Sequence, residues 1–100
     1  MIVFLFTESP KIYGLPKKIT PVKGSDVSLV CLAEGSPYIN FIWIKKDPGS
    51  KVTRMTSGQS LELTNVSESD SRVYTCIASN SVGSESYNVW LDVQSELVKR

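Results

Sequence analysis

Apolar and polar residues alternate at period two along most of the chain, in short runs that turn residues interrupt. Because successive side chains of a β-strand point to opposite faces, this alternation predicts half-buried strands. The spacing of apolar residues that a helix requires is almost absent. The clearest runs are residues 26–34, 39–45, 60–64, 72–80 and 86–93, and weaker candidates are 11–13, 18–22 and 51–56.

Turn-forming residues separate these predicted strands. Glycine, proline, serine and aspartate cluster around the tight connections at 35–37, 47–50, 57–59 and 81–83. Pro10, Pro16 and Pro21 lie early in the chain, where a strand must lie at an edge or must break and switch partners. Seven or eight short strands at this spacing favour an all-β antiparallel sandwich, with an all-β barrel as the alternative.

The same alternation assigns side chains to a core. Alternate positions of a strand share one face, so the more apolar set of each strand is expected to point inward. The inward set comprises Val27, Leu29, Cys31 and Ala33; Phe41 and Trp43; Leu61 and Leu63; Tyr74, Cys76 and Ala78; and Val89, Leu91 and Val93.

The composition restricts the chemistry that this chain can perform. One hundred residues make a single domain, and the net charge of +1 gives no reason to expect nucleic-acid binding. The absence of histidine excludes Ser-His-Asp and Cys-His nucleophiles and histidine-containing zinc sites. Two cysteines cannot form a four-thiolate metal site. We therefore expect a binding protein without a cofactor or metal, and not an enzyme.

Cys31 and Cys76 both occupy the inward parity of strongly apolar strands, 45 positions apart. Two thiols on the buried faces of non-adjacent strands would meet across a sandwich interior, where Trp43 can cover the sulfur pair. The even cysteine count and the matched parity favour a disulfide. The alternative is a pair of buried free thiols in a cytosolic protein.

Cys31, Trp43, Tyr74 and Cys76 together resemble the sequence pattern of the immunoglobulin fold. Tyr74 stands two residues before the second cysteine, where that family places a phenol that bonds to the backbone upstream. The finer pattern is similar to the intermediate type, the I-set, over residues 10–93. The matching positions are Gly24, Val27, Leu29, Cys31, Ala33, Gly35, Pro37, Trp43, Lys45, Leu61, Leu63, Val66, Asp70, Tyr74, Cys76, Ala78, Asn80, Gly83, Leu91 and Val93.

The resemblance implies a two-sheet antiparallel Greek-key immunoglobulin-like sandwich formed by residues 10–94. Residues 1–9 would be an apolar extension, either the remnant of a leader or an extra strand that leads into the domain. Residues 95–100 turn polar and charged, as a linker to a following domain would.

The fold that the resemblance implies places the strands around residues 42, 77 and 90 side by side. The outward parity of these strands would then bring Ile42, Ile44, Ile77 and Trp90 close together. Such a cluster on a sheet surface predicts a protein-binding face. Two alternatives are cover by the N-terminal apolar segment and ordinary scattered surface hydrophobicity. The opposite sheet would present a smaller outward patch at Val30 and Leu32, beside Glu62 and Thr64.

Basic residues predominate in the first half of the chain. If they converged, they would form a weak site for sulfated glycans, whereas the alternative is a solvated basic surface. The candidates are Lys17, Lys18, Lys23, Lys45, Lys46, Lys51 and Arg54.

Asn65-Val66-Ser67 is an N-glycosylation sequon, which favours secretion modestly because so short a motif is common by chance. Together with the outward tryptophan, it favours an extracellular recognition module of a cell-surface receptor or adhesion protein. Such a module would bind a protein ligand or another immunoglobulin domain. The alternative is an intracellular spacer domain of a giant muscle or cytoskeletal protein, with reduced cysteines.

Overall fold

The computed structural model of this protein describes residues 7–95, and within them the chain is built from strands joined by tight turns. Two short 3-10 helices, Pro48–Ser50 and Glu68–Asp70, interrupt the connections. The strands are β1 (Lys11–Tyr13), β2 (Lys18–Ile19), β3 (Val27–Val30), β4 (Leu32–Glu34), β5 (Asn40–Lys46), β6 (Val52–Ser57), β7 (Ser60–Leu63), β8 (Val73–Ser79) and β9 (Ser84–Leu91).

The strands form two layers, which confirms the predicted sandwich. In the first layer β1 pairs with β4 and β3 pairs with β7, both antiparallel, and only Cys31 separates β3 from β4. The second layer is a five-stranded sheet in the order β2-β9-β8-β5-β6. Its β2–β9 pair is parallel, a departure from the all-antiparallel expectation.

The early prolines mark the place where the chain changes layers. β1 belongs to the first layer and β2 to the second, and the connection between them contains Gly14 and Pro16. Gly14 has a φ of 84°, which favours glycine because other residues meet steric strain there. The break and change of partner expected from the prolines is therefore present.

The last strand begins and ends two residues earlier than the alternation predicts. The side-chain oxygen of Asn80 accepts hydrogen bonds from the backbone N–H groups of Val82 and Gly83, at 2.9 and 3.0 Å. This tight turn lets β9 start pairing at Ser84. Between Leu91 and residue 95, β-pairing continues as an isolated bridge between Val22 and Gln94.

A disulfide between Cys31 and Cys76 joins the two layers, with the Cα atoms 6.5 Å apart. Trp43 lies opposite Cys76 on the neighbouring strand and is fully buried. Its indole N–H donates to the carbonyl oxygen of Gln59 at 2.9 Å, and the Cys31 N–H donates to the same oxygen at 2.8 Å. Leu63 is only partly buried and packs against the edge of this core.

Tyr74 is fully buried, and its hydroxyl group donates to the carbonyl oxygen of Asp70 at 2.8 Å. The bond reaches four residues upstream, as the resemblance implies. Burial raises the pKa of Tyr74 to about 12, and the nearby Asp70 carboxylate adds to the increase. The neutral phenol is thus the form that the fold stabilises.

We expect the alkaline stability of this domain to depend on Tyr74. The folded-state pKa of Tyr74 is raised above its ordinary value of 10.0, so its contribution is complete below that pH and is lost as the pH rises towards about 12. Replacing Tyr74 with Phe should cost about 1 kcal/mol at neutral pH, because a buried hydrogen bond is lost. Denaturant unfolding of both proteins across this pH range measures the effect. Identical pH dependence in the two proteins would contradict it.

Candidate interaction surface

The outer face of the five-stranded sheet carries the residues that the sequence predicts to bind a protein partner. In β5 and β8 the core residues Trp43 and Cys76 are fully buried, so their immediate neighbours in each strand point to the outer side. Cross-strand register then arranges these outward residues in rows that run across the sheet. The rows decide which of the predicted residues are neighbours.

Three of the four predicted contact residues are neighbours on this face, two in one row and Ile44 in the next row. Ile42 lies directly opposite Ile77, and Ile44 follows two residues further along β5. All three side chains are half-buried. We call them the isoleucine cluster. An open cavity of about 500 Å³, lined by residues 39–42 and 57–59, adjoins the cluster at Ile42.

Trp90 lies at the other end of the face. It is opposite Val73 on one side and Lys18 on the other, whereas Ile77 lies four residues along β8 from Val73. At about 3.3 Å per residue, this offset separates the Trp90 row from the Ile77 row by roughly 13 Å. The indole is 38% exposed. The structure thus brings the three isoleucines together and places Trp90 apart from them.

A polar pair separates the two ends. Thr75 lies between the inward residues Tyr74 and Cys76, on the outer parity of β8, yet it is only 3% exposed. Its hydroxyl group donates to the side-chain oxygen of Asn88 on β9 at 2.7 Å, and Ile44 lies opposite it on β5. Neighbours on both sides therefore cover a residue that alternation alone leaves exposed.

The basic residues divide between this face and the loops around it. Lys18 and Lys46 belong to the same row as Trp90, and Arg54 lies opposite Ile44 in the next row. Lys17, Lys23 and Lys51 are exposed on the connections beside β2 and β6, and Lys45 is half-buried on the other parity of β5.

Asp47, just after β5, neutralises part of this charge. Its carboxylate accepts a hydrogen bond from the Thr53 hydroxyl group at 2.8 Å and lies 3.6 Å from Lys45 Nζ and 3.9 Å from Arg72 Nε. The Thr53 hydrogen bond is the largest single cause that holds the pKa of Asp47 below its ordinary value of 3.8, and Lys45 and Arg72 add to the effect. The backbone N–H of Asp47 donates to the carbonyl oxygen of Lys51 at 2.7 Å, which closes the β5–β6 turn.

The opposite layer presents a smaller apolar patch. Val30 is 45% exposed and Leu32 is 36% exposed, and Tyr13 on β1 lies directly opposite Leu32. Glu62, the expected neighbour, accepts a hydrogen bond from Ser28 at 2.9 Å. Sequence reasoning missed Tyr13 because β1 is too short for its parity to be assigned.

The sequon lies on an exposed turn. Asn65 has a φ of 51°, a left-handed conformation that asparagine tolerates better than most residues. Its backbone N–H donates to the Asp26 carboxylate at 2.9 Å. Val66, the middle residue of the sequon, is buried, and the backbone N–H of Ser67 donates to Asp70 at 2.8 Å. The predicted acceptor is thus held on a fixed, solvent-facing turn.

The predicted N-terminal extension and the predicted C-terminal linker both extend beyond the residues that the structure describes. Residues 1–6 of the predicted extension 1–9 lie outside the described residues. The alternative that this N-terminal segment covers the sheet therefore also concerns residues that the structure does not describe. Glu8 is described, and its carbonyl oxygen accepts hydrogen bonds from Ser36 and from the Asn80 side chain, at 3.0 and 2.7 Å. Of the predicted linker, residues 96–100 also lie outside the described part.

Between residues 7 and 95, no group of three or more acidic or cysteine side chains is arranged to hold a metal ion. Over the same residues, no helix has the length and apolar character needed to cross a membrane.

Comparison with known sequences identifies relatives of this domain. A family model described as "Immunoglobulin domain" matches residues 9–80. Human hemicentin-1 is 37% identical over 91% of this chain, and chicken neurofascin is 33% identical over 86%. Mouse neuronal cell adhesion molecule is 35% identical over 74%. The matches span only 2%, 7% and 6% of those proteins respectively.

Solved structures share the architecture. A Dscam structure that addresses isoform specificity superimposes with a TM-score of 0.74 at 29% identity, over 87% of this chain and 25% of that one. A structure of three titin domains superimposes with a TM-score of 0.73 at 26% identity, over 87% of this chain and 33% of that one. Both Dscam and titin thus contain this sandwich.

We expect Asp47 to contribute to stability above pH 3.8, because its pKa is lowered in the folded state. That contribution is lost as the pH falls through the folded-state pKa. Replacing Asp47 with Asn should therefore destabilise the domain at neutral pH and make little difference in strong acid. Thermal unfolding of both proteins at several pH values measures the difference. A difference that stays constant down to strong acid would contradict this role.

Proposed function

The chain belongs to the immunoglobulin superfamily, and we propose that it serves as an extracellular protein-recognition module of a cell-surface receptor or adhesion protein. Adhesion proteins among its relatives, neurofascin and neuronal cell adhesion molecule, support this role. A binding role is proposed in place of catalysis because the chain has no histidine and its relatives are known as adhesion proteins.

The isoleucine cluster is the observation that carries the proposal. Its three side chains are half-buried within one sheet face, and no other segment of residues 7–95 forms a layer over them. Soluble proteins seldom leave contiguous apolar surface exposed unless it binds something. The cavity beside Ile42 offers a recess into which a partner's side chain can insert, and buried anchors of this kind dominate interface energies. Trp90, the fourth residue predicted for this contact, lies in a different row, and the proposed protein contact does not depend on it.

The partner class is a protein, either a different ligand or a second immunoglobulin domain. The open face of a β-sheet suits both, because two such faces can pack together with their outward side chains interdigitating. The names of the cell-adhesion relatives support a partner on another cell. Each of those relatives is many times longer than this chain, so the partners of the whole protein are proposals as well.

We expect replacement of both Ile44 and Ile77 with Thr to abolish partner binding with a small loss of stability. Threonine keeps the branched shape that strands favour but removes apolar surface from the proposed contact. The test displays the domain on beads and measures aggregation of the beads with one another and binding to cells that express adhesion proteins. Unfolding of the same variants measures the change in stability.

Val30→Thr is the matched control, because it makes a similar change to an exposed residue of the opposite layer. It should leave binding intact. If the control and the double variant bind equally well, the isoleucine cluster is not the contact. If the double variant unfolds far more readily than the control, the isoleucines act as core residues instead.

The disulfide supports the extracellular setting, because such cross-links are rare in the reducing cytosol. Cys31 and Cys76 are bonded, and Asn65 is exposed for glycosylation. The titin likeness supports a second candidate, an intracellular spacer domain with both cysteines reduced.

The extracellular module and the intracellular spacer differ in the covalent state expected for the two cysteines and for Asn65. In protein isolated from the tissue that makes it, we expect no free thiol and an N-linked glycan on Asn65. Thiol titration under denaturing conditions and peptide mass spectrometry measure the two modifications. Asn65→Asp, which removes the sequon but keeps a residue tolerant of the left-handed conformation, should lack the glycan. Two free thiols and an unmodified Asn65 would instead favour the intracellular spacer.

A further inference from the structure

One row of the five-stranded sheet combines basic and aromatic side chains on its outer face. Lys18 lies opposite Trp90, Trp90 opposite Val73, and Val73 opposite Lys46, on four adjacent strands. We call these four residues the basic–aromatic row. At about 4.8 Å between strands, the Cα atoms of Lys18 and Lys46 are roughly 14 Å apart, with Trp90 between them. The sequence alone does not show this, because the residues are far apart in the chain.

The charge at this end of the face is mainly positive. Lys46 and Arg54 form no ion pair with any residue between 7 and 95. Lys18 Nζ lies 3.7 Å from the Asp92 carboxylate, and the side chains are 54% and 36% exposed respectively. An exposed pair of this kind contributes little, so Lys18 remains able to attract an anion. Asp47, which follows Lys46, is already shared between Lys45 and Arg72. The three cations therefore produce a local field that favours a negatively charged ligand.

The surroundings of Trp90 favour a polar ligand over an apolar protein contact. The indole is 38% exposed, and its neighbours include Lys18 and the hydrogen-bonded pair Thr75–Asn88. The cavity beside Ile42 lies at the opposite end of the face. A flat aromatic ring on an open surface suits a ligand that stacks on it, and sugar rings offer a C–H face for that purpose. Sulfate groups on such sugars would reach the flanking lysines.

We propose that the basic–aromatic row binds a sulfated glycan, with a sugar ring on Trp90 and sulfate groups at Lys18 and Lys46. Arg54 in the neighbouring row adds a further cation for a longer chain. This site adjoins the isoleucine cluster at Ile44, which lies in the next row, but it uses different side chains, so it stands whether or not that cluster binds a protein. Basic and aromatic side chains together also bind single-stranded nucleic acid, which makes that polymer a necessary comparison.

The test titrates the domain with a heparin-derived oligosaccharide and with the same oligosaccharide after chemical desulfation. The chain has two tryptophans and Trp43 is fully buried, so a change in fluorescence on binding reports on Trp90. We expect the sulfated form alone to change the fluorescence. The double variant Lys18→Gln and Lys46→Gln should weaken binding about tenfold, because two charge-assisted contacts are lost.

Lys11→Gln together with Lys23→Gln is the matched control, because it removes the same charge from exposed residues outside the row. It should change the affinity by less than about twofold. The Ile44→Thr and Ile77→Thr variant should bind the oligosaccharide as the parent does, which separates this site from the proposed protein contact. Equal losses in the two lysine variants would overturn the site. So would equal binding of the desulfated form, of a single-stranded oligonucleotide or of polyglutamate.

Discussion

The packing of Trp43 and the Cys31–Cys76 disulfide between two sheets is the constraint on which the rest of this structure depends. The disulfide ties β8 of one layer to the chain between β3 and β4 of the other, and Trp43 lies beside Cys76. Gln59 accepts hydrogen bonds from both the indole and the Cys31 backbone, so the buried polar groups are paired. Once these side chains point inward, strand geometry directs their neighbours outward.

That constraint explains why so much of the fold is predictable from the sequence. Alternation around Cys31, Trp43 and Cys76 is a local property, and each of these residues is completely buried. Turn chemistry is local too, and the changes of direction at Gly14 and Pro16 follow from it. Strand existence and side-chain parity therefore depend on near neighbours. The family resemblance added the pairing order, which short-range patterns do not contain.

Other features depend on register between distant strands, and the sequence could not supply them. Trp90 and Ile77 both have the outward parity, but only the β8–β9 and β5–β8 registers reveal that they occupy different rows. Thr75 is buried because Asn88 and Ile44 flank it across the sheet, although its own strand predicts exposure. Lys18 and Lys46 become members of one row for the same reason. The side-chain parity of each strand thus shows which residues are candidates for the surface. Only the register between strands shows which of those residues are neighbours.

The separation of the two ends has a consequence for how this face can bind. Five strands at about 4.8 Å and seven residues at about 3.3 Å give a flat area of at most roughly 550 Å², below the roughly 800 Å² that each partner buries in a typical stable complex. A protein contact confined to the isoleucine cluster uses only part of that area, so a single domain would bind weakly. Useful adhesion would then require several domains acting together, because linked weak contacts reinforce one another. A glycan held at the Trp90 row would add such a second contact beside the isoleucines, through different side chains.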